Sequence, residues 1–190
     1  MKIFKFGGAS VKDADGVKNV LNVIKTVGHE DILIVISAMG KMTNALELVI
    51  TNYFDKSTEF NASLQEVKKY HNQILIDLFD DEDNDVFFAV NSHLADLEYF
   101  LRSNKSPNYS FVYDQVISYG ELISTTIVSH YFNEQGLNNN WIDVRNFIKT
   151  DNNYRDGNVD WEQTQKLISK GVKKKTLNIT QGFLGSDENN

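Results

Sequence analysis

Ile32-Leu33-Ile34-Val35-Ile36 is an unbroken aliphatic run of strand length, and Ser37-Ala38-Met39-Gly40-Lys41-Met42-Thr43-Asn44 follows it as a small and polar loop. A strand with one wet face alternates apolar with polar residues. A run that is apolar throughout fits a strand covered on both faces, as central strands of parallel sheets are. Helical spacing resumes after the loop with Leu46 and Val49. Open parallel sheets bind ligands at the carboxyl ends of their strands, which makes the Ser37–Asn44 loop the first candidate for chemistry.

Upstream, Lys2-Ile3-Phe4-Lys5-Phe6 reads as a second strand running into Gly7-Gly8-Ala9-Ser10. Paired glycines let backbone amides approach an anion closely, because no Cβ intervenes, and Lys5 adds a fixed positive charge. The same residues fit a plain strand-to-helix turn beside a solvated edge lysine. Val17, Val20, Leu21 and Ile24 recur at helical spacing between Asp13 and Val27, and Gly28 stops that helix as a left-handed glycine does.

Downstream, the region of about 57–102 departs from the alternation of strand and helix. Leu64, Val67, Ile74 and Leu78 form one helical stripe, and Phe87, Val90, Leu94, Leu97 and Leu101 another. This predicts an inserted antiparallel helix pair at the edge of the sheet, a surface for packing or self-association. The acidic run Asp80–Asp85 between them begins like a calcium loop. It lacks the turn glycine and the closing acid, and reads as a solvated turn. Pro107 fits a helix start, and that helix is predicted to break at Ser118-Tyr119-Gly120-Glu121 and restart at Leu122. Trp141–Val144 and Leu177–Thr180 are further strand candidates, with Asp156-Gly157 as a reversal between short edge strands. Helices end on Gly28, Gly136 and Gly171 with a strand after each, the rhythm of an α/β fold with a mostly parallel sheet. The glycine-punctuated stretch Gln181–Asn190 reads as a ligand-edge loop with nothing after it, as in a chain that has been cut.

With 190 residues the chain suits one sizeable core. Hydrophobic residues make up 41% and aromatics 12%, a globular composition. A formal charge of −7 argues against nucleic acid or an anionic membrane as principal partner. The absence of cysteine excludes disulfides, thiolate zinc sites and thiol catalysis. No apolar run approaches the ~18 residues of a membrane span, and no secretory leader is evident. A soluble, cytoplasmic protein is expected. His29, His71, His93 and His130 lie outside the loops singled out here and read as structural or surface residues.

Four stretches, Lys5-Phe6-Gly7-Gly8-Ala9-Ser10-Val11, Ser37 to Asn44, Ser118-Tyr119-Gly120-Glu121-Leu122-Ile123-Ser124 and Thr180-Gln181-Gly182-Phe183-Leu184-Gly185-Ser186, together resemble the ordered motifs of aspartate kinases, members of the amino-acid kinase family. The resemblance implies a three-layer αβα sandwich, here truncated. Residues 1–190 would be the amino-terminal, amino-acid-binding lobe, without the nucleotide lobe and the regulatory ACT domains. It implies transfer of the γ-phosphoryl group of ATP, with Mg2+, to the side-chain carboxylate of L-aspartate, giving 4-phospho-L-aspartate on the route to lysine, threonine and methionine. The fragment alone would be inactive, and the intact protein a homo-oligomer.

By the same resemblance Lys5 is catalytic and meets the transferring phosphate, with Gly7, Gly8 and Ser37 also on the ATP side. Thr43 and Glu121 hold the aspartate, Phe183 lies in the motif that closes over it, and no residue is assigned to metal. Each assignment has a structural rival: Ser37 and Thr43 as helix caps, and Ser118-x-x-Glu121 as a capping box that spends the glutamate on a backbone amide. Ala9, where the family has threonine, removes a hydroxyl near the phosphates, and Met42 also departs from the usual threonine or isoleucine. Two other readings stand beside this one. One is a kinase with a glutamate-type acceptor, and the other a non-catalytic assembly module built on the helix pair.

Overall fold

A computed structural model describes residues 1–189. Strands β1 (Lys2–Phe6), β2 (Ile32–Ile36), β3 (Asn139–Ile142) and β4 (Leu177–Gln181) form one sheet. Its order is β1-β2-β4-β3, and every neighbouring pair is parallel. The last strand in the chain is therefore inserted between the second and third. Parallel neighbours need crossovers, which helices supply. Helix α1 (Ala14–Val27) joins β1 to β2, and α6 (Trp161–Gly171) joins β3 to β4. The long connection from β2 to β3 carries α2 (Met42–Phe54), α3 (Phe60–Leu78), α4 (Asp85–Ser103) and α5 (Tyr109–Glu134). With right-handed crossovers, α1 and α5 cover one face of the sheet and α6 the other, because the step from β3 to β4 runs back along the sheet.

The two faces are unequally covered. β4 is buried at all five positions. On β2, Ile32, Ile34 and Ile36 are buried while Leu33 and Val35 are half-buried, and on β1 both Ile3 and Lys5 are exposed. Continuous hydrophobicity in β2 thus overstated its burial, whereas the polar Asn178 and Thr180 of β4 are fully covered. Helix α5 packs on β2, β3 and β4, and is buried on nearly all sides from Val112 to Phe132. The predicted antiparallel helix pair is α3 and α4. These pack mainly on α2 and α5 rather than on the sheet. The acidic turn between them caps α4, with Asn84 Oδ1 accepting from the Val86 N–H at 3.1 Å.

Three expectations need correction. α5 runs without a break through Ser118–Glu121. Ser118 Oγ donates to the Gln115 carbonyl (2.8 Å), as a mid-helix serine does. Gly120 is there for space, because a Cβ would lie 3.0 Å from Ala38 Cβ. Gly171, with no left-handed φ, is likewise a close approach: a Cβ would fall 1.8 Å from Phe147 Cε1. β3 begins at Asn139 rather than Trp141, since Ser129 Oγ donates to Asn139 Oδ1 (2.7 Å) and Asn140 Nδ2 to Asn178 Oδ1 (3.0 Å), which satisfies polar groups that looked like loop. Among the described residues no helix is long and apolar enough to cross a membrane.

Candidate active site

Register sets three strand tips side by side. Phe6 pairs with Ile36, and Ile36 with Gln181. Gly7, Ser37 and Gly182 therefore leave the sheet at one edge, tied by Ser37 N–H donating to the Phe6 carbonyl (3.1 Å) and Gly182 N–H to the Ile36 carbonyl (3.0 Å). The next bond joins the two turns, Gly40 N–H to the Gly8 carbonyl at 3.0 Å. A Cβ on Gly8 would lie 2.7 Å from the carbonyl oxygens of both Ala38 and Gly40. The glycine is thus dictated by the approach of the β1 and β2 turns, and Gly7 beside it has open space around its α-carbon. Gly40 has φ of +54° and faces the Tyr70 hydroxyl, which donates to the Lys12 carbonyl.

Thr43 is the second residue of α2, half-buried, and Ser37 is half-buried at the tip of β2. Neither caps α2, whose N-terminus has no side-chain cap. Among the described residues neither hydroxyl is hydrogen-bonded, and the capping alternative falls. Lys5, exposed one residue before the tip of β1, makes no ion pair among the described residues.

Glu121 projects from α5 beneath the β2 loop. It is 3% exposed, and its Oε1 accepts from the Ala38 N–H at 3.3 Å while Oε2 is buried with no partner. Burial raises its carboxyl from 4.5 to about 7, against the opposing pull of the Ala38 amide. An orphaned carboxylate oxygen behind a loop of free hydroxyls is an acceptor waiting for a donor.

Behind Glu121 lies a network that sequence reasoning missed. Thr125, one turn on, donates to the Glu121 carbonyl (2.9 Å) and accepts from Gln181 Nε2 (2.7 Å) and Trp141 Nε1 (3.0 Å). Gln181 Oε1 in turn accepts from the Val144 N–H at 2.8 Å. The available signal was a polar run, Ser124-Thr125-Thr126, inside an otherwise apolar helix.

Phe183 stands apart from this cluster. It is 82% exposed with φ of 67° and lines a cavity of about 330 Å³ between α5, residues 145–159 and residues 183–187. Ser118, one turn before Glu121, also lines that cavity; Lys5, Ser37 and Thr43 do not. The loop bearing Phe183 is anchored at Ser186, whose Oγ accepts from Lys149 Nζ (2.7 Å) and donates to the Arg145 carbonyl (2.6 Å). Among the described residues no three His, Asp or Glu side chains converge as a metal site.

Comparison with known proteins agrees with this fold. A model of the amino acid kinase family matches residues 1–190. Aspartokinase 1, chloroplastic, of Arabidopsis thaliana is 29% identical over 195 residues, covering 96% of this chain and 33% of that protein. The Arabidopsis bifunctional aspartokinase/homoserine dehydrogenase 2, chloroplastic, is 27% identical over 199 residues, covering 99% of this chain and 21% of its own length. The chain thus spans a fifth to a third of these curated relatives. E. coli aspartokinase III in complex with aspartate and ADP superposes with a TM-score of 0.84 at 23% identity, over 100% of this chain and 42% of that one. With a family match running from end to end, the chain with this all-parallel sheet belongs to the amino acid kinase family.

Proposed function

We propose that residues 1–190 form the amino-acid-binding lobe of an aspartate kinase, working within a longer catalytic unit that supplies the rest of the nucleotide site. The observation that carries this reading is Glu121, buried with one oxygen held by Ala38 N–H and the other unpartnered. An α-ammonium group is the donor that completes it, and Thr43 and Ser37 offer hydroxyls at the same edge. The similarity to aspartokinases supports aspartate as the acceptor.

In the proposed reaction an oxygen of the aspartate side-chain carboxylate attacks the γ-phosphorus of ATP. The bond from phosphorus to the bridging oxygen breaks, the electron pair leaves with ADP, and 4-phospho-L-aspartate forms. Two anions must meet, and positioning with charge neutralisation is the main task of the protein. Lys5 provides a mobile cation at the edge, and the Gly7-Gly8 turn provides amides that no side chain shields. Phe183 lies on the loop beside the neighbouring cavity, apart from the strand tips, and would have to swing toward them to cover the acceptor. Magnesium, which the reaction takes with ATP, finds no dedicated side-chain cluster among the described residues. It would be held by the nucleotide phosphates, and no step is assigned to it.

The reading is tested by NMR titration of the chain with L-aspartate and, separately, L-glutamate. Shifts at Ala38, Thr43 and Glu121 that saturate with aspartate, are weaker with glutamate and weaken at least tenfold in Glu121→Gln are expected. Equal response in wild type and variant would remove Glu121 from the site.

A further inference from the structure

Helix α3 sends one side chain to the strand-tip edge. It buries Leu64, Val67, His71, Ile74, Leu75 and Leu78, whereas Tyr70 is half-buried, its ring at the rim of the core. The Tyr70 hydroxyl donates to the carbonyl of Lys12, in the segment that carries the β1 turn into α1. Two turns further along α3, Lys18 Nζ donates to the Asp77 carbonyl at 3.3 Å. These two ties fix the register of α3 against the start of α1.

The same hydroxyl governs the neighbouring loop. Gly40 has φ of +54°, and a Cβ there would lie 2.5 Å from the Tyr70 oxygen and 3.6 Å from Lys12 Cβ. The phenol and the glycine therefore fit only as a pair. Gly40 N–H in turn donates to the Gly8 carbonyl (3.0 Å), and Ser10 N–H to the Gly7 carbonyl (2.9 Å). One oxygen from α3 thus holds the β1 turn at Lys12 and abuts the β2 loop at Gly40, whose amide is bonded to Gly8. Burial, and after it the Asp13 carboxylate, raises the Tyr70 hydroxyl above its ordinary range, so it remains a donor across neutral pH. Packing alone would be served by phenylalanine; the hydroxyl adds a directional tie.

We propose that Tyr70 is a positioning residue of the phosphate-facing edge, its hydroxyl locking the Gly7-Gly8 turn to the β2 loop so that the amides of that turn are aimed before a polyphosphate arrives. Amide donors stabilise an anion most when they need no reorganisation to meet it. The inference rests on the phosphate reading of this edge given above and adds the inserted helix to it: α3 reaches the site as well as the core.

Backbone amide NMR of the chain, titrated with inorganic tripolyphosphate as a stand-in for the nucleotide's phosphates, tests it. Wild type should shift at Gly7 and Gly8 and saturate, and Lys5→Ala should abolish the response. Tyr70→Phe should weaken binding about fivefold, as loss of one hydrogen bond does, and should speed hydrogen exchange of the Gly40 amide while the melting temperature stays within a few degrees. A lost packing contact would not produce that pattern. Gly40→Ala, which drives a methyl into the hydroxyl, should weaken binding more strongly. Introduced into Tyr70→Phe it should cost clearly less than in wild type, because the colliding oxygen is gone and the two residues act as a unit. Binding lost in Lys5→Ala yet unchanged in Tyr70→Phe would overturn the proposal and leave the phosphate reading standing, as would fully additive losses. A melting temperature lowered by more than about 10 °C in Tyr70→Phe, well beyond a single hydrogen bond, would assign the residue to the core and overturn the proposal too. No shift at Gly7 and Gly8 in wild type would overturn the phosphate reading and the proposal together.

Discussion

Helices α5 and α4 break the usual distribution of side chains in opposite ways. α5 buries Glu121, Ser124, Thr125 and Ser129, while α4 holds Phe88 and Tyr99 in water. A buried polar group and an exposed apolar patch are the two informative departures from a protein's ordinary inside and outside. On α5 the polar groups are nearly all spoken for: Thr125 is the hub of four hydrogen-bonded groups, and Ser124 Oγ donates to the Ser37 carbonyl at 2.8 Å. What remains is one carboxylate oxygen. On α4, Phe88 and Tyr99 join no ring pair among the described residues. One helix keeps a single unpartnered acceptor near the strand tips, and the other keeps two exposed aromatic rings.

The largest expected effect breaks the satisfied side of this contrast. Thr125→Val keeps the shape but leaves Gln181 Nε2 and Trp141 Nε1 without their acceptor. Each stranded donor costs about 1–3 kcal/mol, and urea unfolding should show a loss of about 4 kcal/mol in all.

Next comes the unsatisfied side. Because the carboxyl of Glu121 is raised in the fold to about 7, its contribution to stability is complete below pH 4.5 and is lost as pH climbs through 7, about 3 kcal/mol in total. His71 works the other way. It is fully buried, with Nδ1 on the Val67 carbonyl at 2.8 Å, and burial pushes its imidazole down to about 4. Its contribution is complete above pH 6.5 and is lost as pH falls toward 4. Between pH 4.5 and 6.5 the two slopes oppose, and the wild-type stability curve should be nearly flat there. Glu121→Gln should expose the His71 slope in that window and gain about 3 kcal/mol over wild type between pH 5 and pH 8.5. Parallel curves for the two proteins would refute the assignment.

The smallest effect concerns α4. Phe88→Ser or Tyr99→Ser should change the stability of the monomer by no more than about 0.5 kcal/mol, as exposed substitutions do. A loss of several kcal/mol in thermal unfolding of dilute protein would show the two rings to be structural.

The parallel sheet and the turns at its carboxyl-terminal edge were legible because both are written locally: Ile32–Ile36 as an apolar run, Gly7-Gly8 and Gly40 as turn residues, Val17–Ile24 as a spaced stripe. What escaped notice depends on residues distant in the chain. Gly120 looked like a break and is a helical residue chosen by Ala38 across the core. Gly171 looked like a cap and yields to Phe147. Asn139 and Asn140 looked like loop, and became strand because Ser129 and Asn178 satisfy their amides. The helix pair of 57–102 was expected as an interface, yet its obvious stripe, Leu94 among it, is core. At the site, Gly8 and Glu121 both meet the β2 loop, and the only local sign of the Thr125–Gln181 network was the polar run Ser124-Thr125-Thr126.

Glu121, its carboxyl raised by burial to about 7, is proposed to await a cation. Carboxyl carbon NMR of the chain, titrated from pH 4 to 9 with and without saturating L-aspartate, measures this directly. A midpoint near 7 is expected for Glu121 in the free protein, falling below 5 when the aspartate ammonium binds beside it, roughly the size of shift an adjacent opposite charge produces. A midpoint near 4.5 in the free protein, or one that aspartate leaves unmoved, would contradict it.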